Sequence, residues 1–79
     1  MRQLKLIWDF RGPDAFKIAE HHVIHLKEYI TSEKLKLNIT GVEQVHDAHS
    51  IAFLVVKNSD MPKVRDALKP HRGQVYNKE

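Results

Sequence analysis

The chain has no cysteine, which excludes disulfides, thiolate metal sites and cysteine nucleophiles together. It has no apolar run long enough for a membrane span, and its opening residues, Met1 to Asp9, lack the apolar stretch of a secretory leader. A soluble, cytoplasmic protein without membrane association is the expectation. Basic residues are not gathered either. The 13 Lys and Arg are interspersed with 10 Asp and Glu, and the formal net charge is only +3. Without a basic run there is no electrostatic footprint for a nucleic-acid or membrane partner. Internal repeats, linkers and low-complexity tracts are also missing, so residues 1–79 read as a single domain.

What is present suits a small globular fold. Apolar residues make up 42% of the chain, too many for a disordered one. At 79 residues the core is near the lower limit of self-sufficiency, so self-association would add useful stability. Six histidines make the chain histidine-rich, and that is its one compositional oddity.

Residues 3 to 10 alternate, with Leu4, Leu6, Trp8 and Phe10 on one face and Lys5, Ile7 and Asp9 opposite, which predicts a strand. Arg11-Gly12-Pro13-Asp14 stops it and opens a helix, proline being pre-set for a first turn and Asp14 favouring the positive end of the dipole. From Pro13 to about Lys34, residues placed 100° apart gather Ala15, Phe16, Ala19, Val23, Leu26 and Ile30 into one apolar arc. Ile18, His22, His25 and Tyr29 run along its flank, and His21 lies further out.

Residues 35 to 45 predict a second strand, alternating as Leu35, Leu37 and Ile39 until Gly41, where the pattern slips and a bulge is expected. His46-Asp47-Ala48-His49 is a hairpin connection. Ser50 to Lys57 is the most apolar run, and its β-branched content argues for a central strand buried on both sides. Asn58-Ser59-Asp60 and Pro62 start a second helix with Met61, Val64, Ala67 and Leu68 as its stripe. Pro70 closes it, and Gln74 to Asn77 forms a last strand.

The order β-α-β-β-α-β predicts an α+β, ferredoxin-like plait. Its four-stranded antiparallel sheet should run 4-1-3-2 in space, with two helices on one face. The other face then has no cover. Ile51, Phe53 and Val55 alternate with Ala52, Leu54 and Val56, so one set of third-strand side chains must point outward. A face of that kind is expected to bury itself against a second copy, giving a homodimer through the sheet.

This arrangement resembles the dimeric α+β barrel proteins. The runs KLIWDF, GVEQVHDAHSIAFLVV and DMPKVRDALKP are similar to small uncharacterised members of that group. The resemblance implies a sheet-to-sheet dimer with a small-ligand cavity between helices and sheet. It also implies kinship with monooxygenases and isomerases of small organic substrates as well as with proteins of no known activity. No catalytic motif carries across from it.

Three groups of residues are candidates for a site. His21 and His25 stand one helical turn apart, a spacing at which two imidazoles reach one transition metal such as zinc, copper or nickel. The glutamate of a metalloprotease motif is missing, and the bland reading is that His22 lines the core edge while its neighbours are solvated.

The topology also brings three separate segments to one rim, carrying Arg11, His46, His49, His71 and Arg72. With the N-terminal amides of the first helix, these suit a carboxylate or phosphate. His46, His49 and His71 with Asp47 could instead hold a metal, and polar residues also populate loops without any such purpose. Third, Trp8 with Phe10, Phe53 and Tyr29 could line a pocket for a flat ligand, or simply pack the core.

An RNA platform needs exposed aromatics on the two central strands. Here Ile51 and Lys5 occupy positions where bases would stack. The leading expectation is a homodimer that binds a small molecule or anion at the rim, with His22 on the helix flank and Trp8 also bounding the site. The alternatives are a small-substrate monooxygenase or isomerase, a histidine-based metal binder, and a plain interaction module.

Overall fold

The computed structural model describes residues 2–37 and 39–76. Strand β1 spans Gln3–Arg11, helix α1 Ala15–Glu33, β2 Ile39–His46 and β3 His49–Lys57. A short 3-10 turn at Asn58–Asp60 leads into α2, Met61–Leu68, and β4 covers Arg72–Tyr76. The fold is α+β, and its sheet is antiparallel throughout with strand order β2-β3-β1-β4. This is the expected 4-1-3-2 order read from the opposite edge.

Helix α1 forms because its apolar residues return every three or four positions. Ala15, Ala19, Val23, Leu26 and Ile30 are all buried, and the last four pack with Leu6 and Trp8 of β1 and with Ala52, Leu54 and Val56 of β3. Val64 of α2 joins the same cluster, so both helices cover one face. Phe16, expected in the arc, is instead 38% exposed, while its neighbour Ala15 is buried. The helix begins at Ala15 rather than at Pro13, and Asp14 at its N-cap makes no side-chain capping bond. Pro62 does sit in the first turn of α2.

Strand β2 is shorter than the alternation of Leu35 and Leu37 predicts. Lys34 takes a left-handed conformation, and the Leu35 N–H donates back to the Ile30 carbonyl at 3.0 Å. That bond ends the helix and carries Leu35 onto the core as a cap contact rather than a strand residue. Gly41 is not a bulge: it pairs in register with Phe53, and the irregularity lies between Gln44 and His46. The apparent slip at Gly41 arises because Leu35 and Leu37 are outside the strand. Strand β4 begins two residues earlier than expected, at Arg72, and its expected last residue, Asn77, is outside the described residues.

Among the described residues no helix covers the face of the sheet that carries Lys5, Ile7 and Asp9 of β1 and Ile51, Phe53 and Val55 of β3. The set of third-strand side chains expected to point outward does face this side, but its aliphatic members are not exposed. Ile7, Ile51 and Val55 are buried within the single chain. The pairing register explains this, since Ile7 faces Phe53 on one side and Arg72 on the other, and Val55 lies between Lys5 and Ile39. The long neighbouring side chains close over the short ones. Among the described residues no helix is long and apolar enough to cross a membrane.

Candidate functional site

One end of this open face gathers the charged residues that the topology predicts. Alternation along β1 places Asp9 and Arg11 on it, and β3 and β4 flank them with His49 and Arg72. Three contacts tie the segments together: the Gly12 N–H donates to the Ala48 carbonyl at 2.9 Å, the His71 N–H donates to the Ile7 carbonyl at 2.9 Å, and Arg11 pairs with His49 in register. Gly12 makes the turn into α1 with φ +113°, a conformation that needs glycine.

Asp9 is the centre of the cluster. Arg72 Nε donates to its Oδ2 at 2.9 Å and Arg72 Nη2 to its Oδ1 at 3.1 Å, a forked contact suited to the planar guanidinium. His49 Nε2 lies 2.8 Å from Oδ1, and this histidine is buried. The Asp9 carboxyl is held at about 2, against an ordinary 3.8, chiefly by the hydrogen bond from Arg72. Partial burial opposes that shift, and His49 reinforces it. The Asp9 backbone N–H also donates to His71 Nδ1 at 2.8 Å, which places any proton of neutral His71 on Nε2. His46 stands beside His49 with ring centroids 5.5 Å apart, and its Nδ1 accepts from the Ala48 N–H at 3.2 Å.

Arg11, His46, His49 and Arg72 therefore come together on the open face, with His71 at the junction of β1 and β4. The other two expected ligand residues lie on the helix-covered side. Trp8 is only 3% exposed, and its Nε1 donates to the Leu68 carbonyl at 3.0 Å. It is a core residue whose polar atom is satisfied. His22 packs on Trp8 and Phe10, and burial, with the nearby His25 and His71, pulls its pKa below the ordinary 6.5. Between α1 and the sheet, Ala19, Val23, Leu26 and Ile30 of the helix pack with Leu6, Trp8, Ala52, Leu54 and Val56 of the strands into one buried cluster.

The metal expectations fare differently at the two places. His21 and His25 do face one another, with ring centroids 5.0 Å apart and planes nearly perpendicular. At the rim, the ring nitrogens of His46, His49 and His71 engage backbone groups and Asp9 rather than a common point. Among the described residues no three His, Asp or Glu side chains are placed to hold a metal ion. The helix-terminal amides expected to greet an anion are partly engaged too, since the Ala15 N–H donates to the Gly12 carbonyl at 3.2 Å.

Asp9 is not among the rim residues expected from the sequence. Alternation puts it on the same face as Arg11, two residues away, and the β1–β3 pairing that defines the plait brings His49 alongside. Those two facts are the signal that could have found it. Comparison of the chain with protein-family models, curated proteins and solved structures returns no match, so function has to be argued from the side chains at this site.

Proposed function

We propose that the chain is a ferredoxin-like plait of the dimeric α+β barrel type that pairs with a second copy through the open sheet face and binds a small anion at the charged end of that face. The observation that carries this reading is a guanidinium without a carboxylate partner beside the Asp9–Arg72 pair. Asp9 balances Arg72, while Arg11, on the same face, has no ion pair among the described residues. Arg72 contacts Asp9 through Nε and Nη2, which leaves Nη1 for a second partner. Guanidinium groups recognise carboxylates and phosphates by such forked bonds, so a small molecule carrying either group fits the site.

Phosphate is the simplest probe. It should raise the melting temperature of the native protein more than chloride of equal ionic strength does, because a ligand of the folded state alone stabilises it. Arg11→Ala, at an exposed position, should remove most of that difference. Equal phosphate stabilisation in the native and Arg11→Ala proteins would count decisively against the anion site.

The pairing reading rests on an apolar β3 and an uncovered face with Phe53 at its middle. Because Ile7, Ile51 and Val55 are already buried, the contact would be made by Phe53, Ile39 and Tyr76, bordered by Lys5, Glu43 and Gln74. Sedimentation equilibrium tests it. The native chain should behave as a dimer and Phe53→Glu as a folded monomer, and a native chain that stays monomeric up to its solubility limit removes this part of the proposal.

A further inference from the structure

Strand β4 is one edge of the sheet, and among the described residues it pairs only with β1. The Gly12 N–H continues the β1–β3 ladder by donating to the Ala48 carbonyl. By antiparallel alternation, the even-numbered residues of β1 therefore bond toward β3 and the odd-numbered ones toward β4. The β4 partners of those odd-numbered residues are Arg72, Gln74 and Tyr76. Gly73 and Val75 then turn their N–H and C=O groups outward, to a side with no strand beside it. Edges of this kind are usually blunted by lysine, proline or a bulge. The opposite edge strand, β2, has its irregularity between Gln44 and His46. β4 reads RGQVY in unbroken register, and its one charge, Arg72, is already held by Asp9.

The same strand borders a hollow on the helix side of the sheet. Leu4, Leu6 and Met61 with Gly73, Gln74 and Val75 line an open space of about 320 Å³. Register sets Gly73 beside Leu6 and Val75 beside Leu4, so both β4 residues present that side. Gly73 has no side chain to cover Leu6, whose Cδ2 lies 3.3 Å from where a β carbon would stand. Val75 is 49% exposed, an apolar side chain next to an apolar hollow that it does not fill.

We propose that β4 pairs antiparallel with β4 of a second copy about a two-fold axis at Gln74, joining the two sheets into one. The outward-facing groups of identical strands can be matched with Gly73, Gln74 or Val75 on the axis. With Gly73 there, glycine meets glycine and both hollows stay open. With Val75 there, the valines meet each other and neither reaches a glycine. With Gln74 there, each Val75 stands opposite Gly73 of the other copy and the two exchange both backbone hydrogen bonds. The valine then enters the hollow against Leu6 and Met61. On the open face the same register sets Gln74 against its own counterpart and Arg72 against Tyr76, so no like charges meet. This contact uses the edge of the sheet and not the face around Phe53, so it goes beyond the pairing proposed above. A strand this short buries little area, so the contact is weak and forms at higher concentration than the face contact does.

The test is amide hydrogen exchange of the full chain, followed by NMR at rising protein concentration. Pairing should slow exchange of the Gly73 and Val75 N–H groups together, by about tenfold once only about a tenth of the chains remain single. Val75→Lys, at an exposed position, brings a charge to the hollow and should remove that protection. The absence of cysteine allows the register to be read by cross-linking. Gln74→Cys would stand opposite itself with α carbons about 4.5 Å apart, within disulfide reach, and should link two chains on mild oxidation, whereas Val75→Cys should not. The proposal is overturned by exchange that stays fast up to the solubility limit, or by protection that ignores concentration or survives in Val75→Lys. Linkage through Val75→Cys in place of Gln74→Cys overturns it as well. Both readouts should persist in Phe53→Glu, which removes the face contact. Their loss there would assign the contact to the face and overturn the edge, so the two pairings can fail separately.

Discussion

The phenyl ring of Phe53 lies across Gly41 on the neighbouring strand, so closely that a β carbon on Gly41 would stand 3.0 Å from Cζ and 3.1 Å from Cε2. Lys5 Nζ rests 4.4 Å from the centre of the same ring and is tied to Glu43 at 3.1 Å. The glycine thus makes room for the side chain that roofs the open face. Gly41→Ala is expected to displace the ring and its lysine, at a cost of about 1–3 kcal/mol for an overpacked contact. Urea denaturation should show a lower midpoint with an unchanged slope. A variant as stable as the native chain would mean that the ring moves aside freely.

Ser50 points the other way, into the core, on the face shared with Ala52 and Leu54. It is 1% exposed, and its Oγ has no hydrogen-bond partner among the described residues. A buried hydroxyl without a partner is desolvated for no return, so Ser50→Ala should raise stability by about 1 kcal/mol. A thermal melt reads the change directly. A lower melting temperature in the variant would show that the hydroxyl is hydrogen-bonded in solution.

Much of this architecture is legible along the chain because it is local. The alternation of Leu4, Leu6, Trp8 and Phe10 marks β1, the spacing from Ala15 to Ile30 marks α1, and the apolar run after Ser50 marks β3. Their order then leaves few ways to arrange a sheet. The site is legible only halfway. Topology brings Arg11, His49 and Arg72 to one end, but the partner that organises them, Asp9, is defined by contacts across three strands. Alternation gives Asp9 a face and says nothing of which side chains reach it. The roofing of Ile7 and Val55 escapes for the same reason, since it depends on where Phe53 and Lys5 lean. Leu35 and Leu37 mislead because a helix cap can bury a leucine as well as a strand can.

Both helices end on a lysine in the left-handed region, Lys34 at φ 54° and Lys69 at φ 49°. A β carbon in that conformation costs about 1–2 kcal/mol, and glycine is the residue that such caps favour. The Lys69 N–H still donates to the Arg65 carbonyl at 2.8 Å, so the cap itself is formed and only the side chain is unfavourable. Lys34→Gly and Lys69→Gly should each raise stability by about 0.5–1 kcal/mol, after the greater freedom of glycine in the unfolded chain is subtracted. Each is checked by a denaturation midpoint. A loss of stability in either variant would show that the lysine stem contributes packing worth more than the strain.

The ion pair at the centre of the charged cluster makes a prediction about acid. Asp9 titrates at about 2 in the folded protein against an ordinary 3.8, so between those values the unfolded chain binds the proton and the folded one resists it. The stability it contributes is complete above the ordinary value and drains away as pH falls toward 2, on the order of 1–2 kcal/mol. Asp9→Asn removes the titrating group, so it should lower stability at neutral pH and flatten the acid limb over that window. The groups that set the shift are Arg72 and His49. Arg72 is half-exposed, with a side chain 51% accessible, so salt should shrink its share. His49 is buried, so its share should persist. The check is a set of urea midpoints from pH 5 to pH 2, for native and Asp9→Asn chains, at low and high salt. An acid limb that keeps its depth in the Asp9→Asn chain would place the stabilising carboxylate elsewhere in the molecule.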